Sequence, residues 1–251
     1  MSAATPGPAW IEPDWPAPPK VRALSTTRAG GVSAPPYAAL NLAGHVGDAP
    51  GALAENRRAL KVAAGLPAEP VWLTQVHGNQ VAPLDAGEPK GPADAAWSRL
   101  PHRVCAILTA DCLPILLTAE TGGVVAAAHA GWRGLAAGVI EAAVQALGVP
   151  PATLLAWLGP AIGVRHFEVG AEVRAALLEG DPGAEGAFAA NARGRFMADL
   201  AQLARRRLTA LGVSRIYGGT ECTFEDGNKY FSHRRDGTTG RQATLIWLEP
   251  G

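Results

Sequence analysis

Thr109-Ala-Asp-Cys112-Leu-Pro-Ile-Leu-Leu117 sets a thiol at the edge of an apolar run, and His129-Ala-Gly-Trp-Arg-Gly134 begins seventeen residues after that cysteine. The neighbouring segments 104–109 and 123–128 read as buried strands. They are short, apolar and bounded by Gly or polar residues, with Val and Ile concentrated in them. Two such strands joined by a short turn can bring Cys112 and His129 together. His77 ends a further apolar segment, Val71-Trp-Leu-Thr-Gln-Val-His77-Gly78. A His, Cys, His set supplies the side chains that a soft divalent metal or an activated thiolate requires.

Working outward, residues 1–19 carry six prolines and read as an extended arm. A first strand is expected over 21–27, and the Gly30-Gly31 and Pro35-Pro36 pairs mark a loop. Residues 52–64 read as a helix stopped by Gly65. Residues 82–99, rich in Pro, Gly, Asp and Ala, read as a long loop. From 135 to 147 the positions Leu135, Val139, Ala143, Val144 and Leu147 share one helical face. A strand over 154–158, a helix over 168–178 and a helix over 196–211 follow. In the last, Leu200, Leu203, Leu208 and Leu211 face inward and Arg205, Arg206 and Arg207 face solvent. Segments 214–217 and 242–248 read as closing strands. With no internal repeat and no central linker, the expectation is an α+β fold with a mixed sheet, with the arm at 1–19 and a single catalytic domain over 20–251.

The chain has 251 residues, of which 48% are hydrophobic, enough for a sizeable core. Charged residues make up 18%, below the usual ~25%. The 22 basic and 22 acidic residues cancel, which gives no general field for nucleic acid or an anionic membrane but leaves room for a focused anion pocket. The three cysteines, Cys105, Cys112 and Cys222, argue against a disulfide framework. The first residues lack a basic segment and an apolar core, so no signal peptide is read there. No run of 18 apolar residues occurs, so no membrane span is expected. A reducing cytoplasm is the expected compartment.

Three ligands of mixed N and S type leave a fourth tetrahedral position open, as at catalytic zinc. Such a metal keeps the sulfur as thiolate and lowers the pKa of a bound water toward ~7. Cys112 could equally be a nucleophile with His129 as base, because both roles need deprotonated sulfur. Spacing alone matches no short zinc motif, and a buried cysteine with two hydrogen-bonded histidines is the commoner meaning of such a set. Arg133, at a glycine-flanked helix start, offers a fork for phosphate or carboxylate, or a structural ion pair. Asp111 either orients a ligand histidine or caps a turn. The loop holding Arg234, Arg235 and Arg241 either reaches an anionic substrate or is a solvated run of Arg–Asp pairs. His45, His102 and His166 read as structural or exposed.

These segments, together with Asn41-Leu42, His45-Val-Gly-Asp48, Asn56-Arg57, Gly159-Pro-Ala-Ile-Gly163, Phe167-Glu-Val-Gly170, Ser232-His-Arg-Arg-Asp-Gly237 and Thr239-Gly-Arg-Gln242, occur in the order of one family. From about residue 20 to 249 the chain resembles the YfiH-type family, known both as laccase-domain or multicopper polyphenol oxidases and as purine nucleoside phosphorylases. The resemblance implies a layered α/β/β/α sandwich with mixed sheets, similar to a toxin-deamidase or YfiH-like cysteine hydrolase fold. It implies a metal site at His77, Cys112 and His129, usually read as zinc, with copper as the other candidate. It implies phosphorolysis of adenosine, inosine and methylthioadenosine, and deamination of adenosine. Polyphenol oxidation and hydrolytic editing of peptidoglycan precursors are also attached to the family. The expected partners are a purine nucleoside and phosphate, with Asn41, Asp111, Arg133, Arg234 and Arg241 as candidates to hold them.

Residue chemistry ranks these activities. A multicopper oxidase needs a two-His, one-Cys copper centre and further imidazoles for its other coppers. Only three obvious ligands converge among six scattered histidines, which disfavours it. One open metal site suits attack at C6 of adenine, although no C-x-x-C run links this chain to the zinc deaminases. Phosphorolysis needs an anion pocket, for which the arginines are available. An amide hydrolase acting through Cys112 or a metal is the alternative of a different class.

Overall fold

A computed structural model describes residues 7–250. Its strands are β1 (Trp10–Ile11), β2 (Val21–Thr26), β3 (Val71–Trp72), β4 (Val81–Pro83), β5 (Ala95–Ser98), β6 (Val104–Thr109) and β7 (Leu113–Ala119) in the first half. β8 (Val125–Ala130), β9 (Leu154–Leu158), β10 (Glu168–Val169), β11 (Phe188–Ala190), β12 (Phe196–Ala198), β13 (Arg215–Gly218) and β14 (Gln242–Leu248) complete them. The α-helices are α1 (Pro50–Ala63), α2 (Trp132–Ala136), α3 (Val139–Leu147), α4 (Ala171–Glu179), α5 (Leu200–Ala210) and α6 (His233–Asp236).

Two mixed sheets dominate. One has the order β1-β2-β14-β6-β3 and the other β13-β9-β7-β8-β5-β4, while β10, β12 and β11 form a small third sheet. The alternation of side chains along each strand sorts them into layers. Cys105, Ile107 and Ile246 of the first sheet meet Leu116, Val125, Ala127 and Trp157 of the second. On its other face the second sheet turns Leu113, Ile115, Leu117, Ala126 and Ala128 toward Val139, Ala143, Leu203 and Leu208 of α3 and α5. The first sheet turns Val104, Ala106 and Leu245 toward Leu60 of α1 and Leu40 and Leu42. The result is a helix, sheet, sheet, helix stack, each interface an apolar layer that excludes water.

Several sequence expectations need correction. The strand expected over 123–128 runs from Val125 to Ala130, and it lies in a different sheet from 104–109, so no short turn joins the two. Their link contains β7, which pairs antiparallel with β8, and Pro114 lies opposite His129. The helix expected over 135–147 is broken into α2 and α3 at Gly138, whose φ of 85° is readily adopted only by glycine. Segment 196–198 is a strand, and α5 starts at Leu200 with Asp199 accepting from the Gln202 N–H as its cap. The helix expected from 168 begins at Ala171, because Glu168 and Val169 pair with β12. The loop 82–99 contains β5, paired with β8. Arg207 is not solvated. It is 7% exposed and pairs with Glu141 at 2.9 Å. The first six residues of the proline-rich arm lie outside the described residues, and from Trp10 it pairs with β2.

Leu116 is fully buried between the two large sheets. Leu116→Ala should lower stability by about 2–5 kcal/mol, through lost apolar transfer and an unfilled cavity, read as a lower denaturant midpoint at unchanged slope.

Candidate metal centre and cavity

The chain passes from one large sheet to the other through Ala110, Asp111 and Cys112, between β6 and β7. Asp111 makes this crossing with φ of 90°. Its Oδ1 accepts from the Thr223 hydroxyl at 2.7 Å, its Oδ2 from the Arg234 N–H at 2.6 Å, and its carbonyl from the Ile162 N–H at 2.9 Å. Asp111 thus pins the turn that presents Cys112 and leaves the histidines to another carboxylate.

That carboxylate is Asp94. It is fully buried, and His129 Nδ1 lies 2.8 Å from its Oδ1. Its oxygens also accept the N–H groups of Val76 at 3.1 Å, His77 at 2.9 Å and Gly78 at 2.7 Å. These three successive donors bend the chain so that His77 has φ of 61°. One carboxylate therefore orients one histidine by its ring and the other by its backbone. Burial opposes the Asp94 charge, but His129 and the Gly78 and Val76 N–H groups outweigh it and hold its carboxyl below the usual range. Gln75 fixes the same segment from the other side. Its amide oxygen accepts the Leu108 N–H and its NH2 donates to the Leu108 carbonyl, both at 2.9 Å.

The ligating atoms of His77, Cys112 and His129 all lie within 4.8 Å of one another. The imidazole rings meet edge to face with centroids 4.7 Å apart. Burial pushes the Cys112 thiol up, yet the His129 charge and hydrogen bonds from both histidines bring it down to about 6. Burial likewise opposes the His129 charge, and Cys112 and Asp94 raise it to about 9. Each charge favours the other, which drives the pair toward thiolate and imidazolium. A divalent metal can displace that proton, since two imidazole nitrogens and one thiolate are a zinc donor set with a fourth position free. Gly131 is required beside them. A Cβ there would stand 2.8 Å from Cys112 Sγ and 3.2 Å from His77 Cδ2.

The three ligands open into a cavity of about 330 Å³, within the range of small-molecule sites. His45, Arg133, His233 and Arg241 line it, and no carboxylate does among the described residues. Arg133 reaches it from α2 with its guanidinium 4.4 Å from the centre of the Trp132 ring. Arg241 is held by its N–H on Asn41 Oδ1 at 3.0 Å and by its guanidinium on the carbonyls of Thr239 and Gly240. Burial lowers the Arg241 pKa, and the Cys112 and Asp111 charges offset part of that. Of the sequence candidates, His77, Cys112, His129, Arg133 and Arg241 therefore meet at one cavity. Asn41 and Asp111 stand behind it. Arg234 points away, donating to the carbonyls of His166 and Glu168 and lying over Phe167. Sequence reasoning missed Asp94, read Gly131 only as the flank of a helix start, and set His45 aside. A single aspartate between a Gly/Pro loop and the apolar Ala95-Ala-Trp run was the available signal for Asp94.

A family described as multi-copper polyphenol oxidoreductase laccase matches residues 22–249. The chain belongs to that family. A Pseudomonas aeruginosa protein named purine nucleoside phosphorylase is 54% identical over 242 residues, spanning 96% of this chain and 99% of that one. The Escherichia coli purine nucleoside phosphorylase YfiH is 53% identical over 240 residues, spanning 95% and 98%. The crystal structure of Neisseria meningitidis NMB0706 superposes with a TM-score of 0.92 at 46% identity, covering 96% of this chain and 99% of that one.

Two outcomes follow from this geometry. Asp94→Asn keeps the shape but loses the charge that orients His129, and should weaken zinc binding about 10–100-fold by competition with a chromophoric chelator. In metal-free protein, alkylation of Cys112 should rise to half its plateau near pH 6, since its thiolate forms above that value. Cys105, fully buried and with its thiol pushed well up by that burial, should stay unmodified until the protein unfolds. Mass spectrometry of the modified peptides reads both.

Proposed function

We propose that this chain is a metal-dependent purine nucleoside phosphorylase that also deaminates adenosine, with zinc as the metal, held by His77, Cys112 and His129. The observation that carries this reading is the placement of a zinc donor set in a cavity whose other charged groups are cationic. The names of the relatives at 53–54% identity point to the same reaction class. Bound there, zinc supplies a Lewis acid beside the reacting atoms.

In phosphorolysis a phosphate oxygen forms a bond to C1′ of the ribose. The C1′–N9 bond breaks, and its electron pair leaves with the purine, which takes up a proton. Arg133 and Arg241 hold the phosphate charge, as guanidinium forks suit. The helix that follows Gly131 is only five residues long, so its dipole contributes less than an unbroken helix would and the arginines carry the task. Asn41 supports Arg241 from behind. The free thiols of Cys105, Cys112 and Cys222 fit a reducing cytoplasm.

One further observation favours a second reading. Cys112, His129 and Asp94 also form the nucleophile, base and orienting carboxylate of a cysteine hydrolase. That arrangement supports an amide hydrolase, for which peptidoglycan precursors are the substrate class attached to the family. Metal removal separates the two, because a chelator abolishes the phosphorylase and frees the thiolate of the hydrolase.

The test is a phosphate titration with adenosine. Free adenine should appear only with phosphate, and deamination, read as ammonia release, should not depend on it. Cys112→Ala should abolish both with the fold retained by circular dichroism. Arg133→Ala should slow adenine release at least about tenfold, the loss of one charged contact, and leave ammonia release nearly unchanged. Adenine release independent of phosphate, or amide cleavage that survives chelation, would overturn the proposal.

A further inference from the structure

A second group of ligating side chains stands apart from the cavity above. His166, Cys222 and Glu225 bring one nitrogen, one sulfur and one carboxylate oxygen within 4.8 Å of one another. Three local constraints hold them. Cys222 bridges in parallel to Ala161, and its sulfur accepts the Gly163 N–H at 3.2 Å. The following turn, closed by the His166 N–H on the Gly163 carbonyl at 2.9 Å, carries the imidazole back toward the sulfur. That ring stacks on Phe224 at 4.3 Å with an interplanar angle of 14°, and its Nε2 lies 2.9 Å from Glu225 Oε1.

A cavity of about 220 Å³ adjoins the group, and Cys222 and Glu225 face it together with Asp199 and Glu221. Asp199 caps α5 and Glu221 pairs with Lys229 at 3.0 Å, which leaves Glu225 and the thiol to a cation, with one arginine beside them. The arginine is Arg165, which pairs with Glu225 at 2.6 Å. Its side chain is 76% exposed, so it can leave for water at little cost.

We propose that His166, Cys222 and Glu225 form a second site for a divalent zinc-class ion, independent of the site at Cys112. One N, one S and one O ligand with an open fourth position form a mixed donor set that zinc accepts. An ion there clips the Gly163–His166 turn to the loop that carries Thr223. Thr223 in turn holds Asp111, and Asp111 presents Cys112. Through these bonds the site acts on the turn that presents Cys112.

Cobalt(II) titration of the metal-free full chain tests this, because each cobalt–thiolate bond gives a near-ultraviolet charge-transfer band. Wild type should take up two equivalents with two thiolate steps. Cys112→Ser should keep one step, Cys222→Ser should keep the other, and the double variant should keep neither. In the Cys112→Ser background, Glu225→Gln and His166→Gln should each weaken the surviving step about tenfold or more, as loss of a ligand does at other metal sites. Uptake and a charge-transfer band in Cys222→Ser equal to those of wild type overturn the second site. If Cys112→Ser does not fold, the comparison of wild type with Cys222→Ser and with surface-exposed Glu225→Gln still decides. A surviving Cys222 step without a Cys112 step would instead count against the metal in the proposed phosphorylase.

Discussion

The buried carboxylate of Asp94 is the interaction on which the site depends. A buried anion is costly unless donors surround it, and here the donors come from the groups that must be placed. Three consecutive N–H groups and one imidazole converge on it. Satisfying the charge and aiming His77 and His129 are therefore the same event. Asp94 sits just before β5, whose pairing with β8 keeps the carboxylate alongside His129. The second large sheet thus positions one histidine directly and the other through its neighbour's charge.

The three-dimensional arrangement follows from where the sheets meet. Thr109 ends β6 of the first sheet, and His129 lies near the end of β8 of the second. By strand alternation both continue the inner rows that hold Ile107 and Ala127. Gln75 ties the His77 segment onto β6. Cys112, on the link between the sheets, closes the set. Two arginines from distant parts of the chain then give the cavity its charge.

Strands buried on both faces were legible in the sequence. β6, β9 and β14 are buried at every position, so they read as continuous apolar runs with correct limits. β5 was hidden because its alanines carry little strand signal and Gly and Pro precede it. β7 was hidden by Pro114, which a central strand disfavours. Here Pro114 sits before the pairing with β9 begins at Ile115. The helix break at Gly138 was missed because Leu135 and Val139 both reach the core across it. At the site, residue chemistry gave His77, Cys112 and His129, since few side chains can do their work. Asp94 and Gly131 act through shape and hydrogen bonding, which one sequence does not display. Family order made the motifs legible, but could not say that Asn41 and Arg234 serve as scaffolding.

Cys112 occupies the one short link by which the chain leaves β6 and enters β7. Its unusual acidity comes from neighbours that arrive only when both sheets are in place. A nascent or partly folded chain therefore carries an ordinary, sluggish thiol in this position. The lowered thiol belongs to the folded arrangement alone, where both histidines reach the sulfur. An unfolded chain, which lacks those neighbours, offers neither the lowered thiol nor the His, Cys, His set.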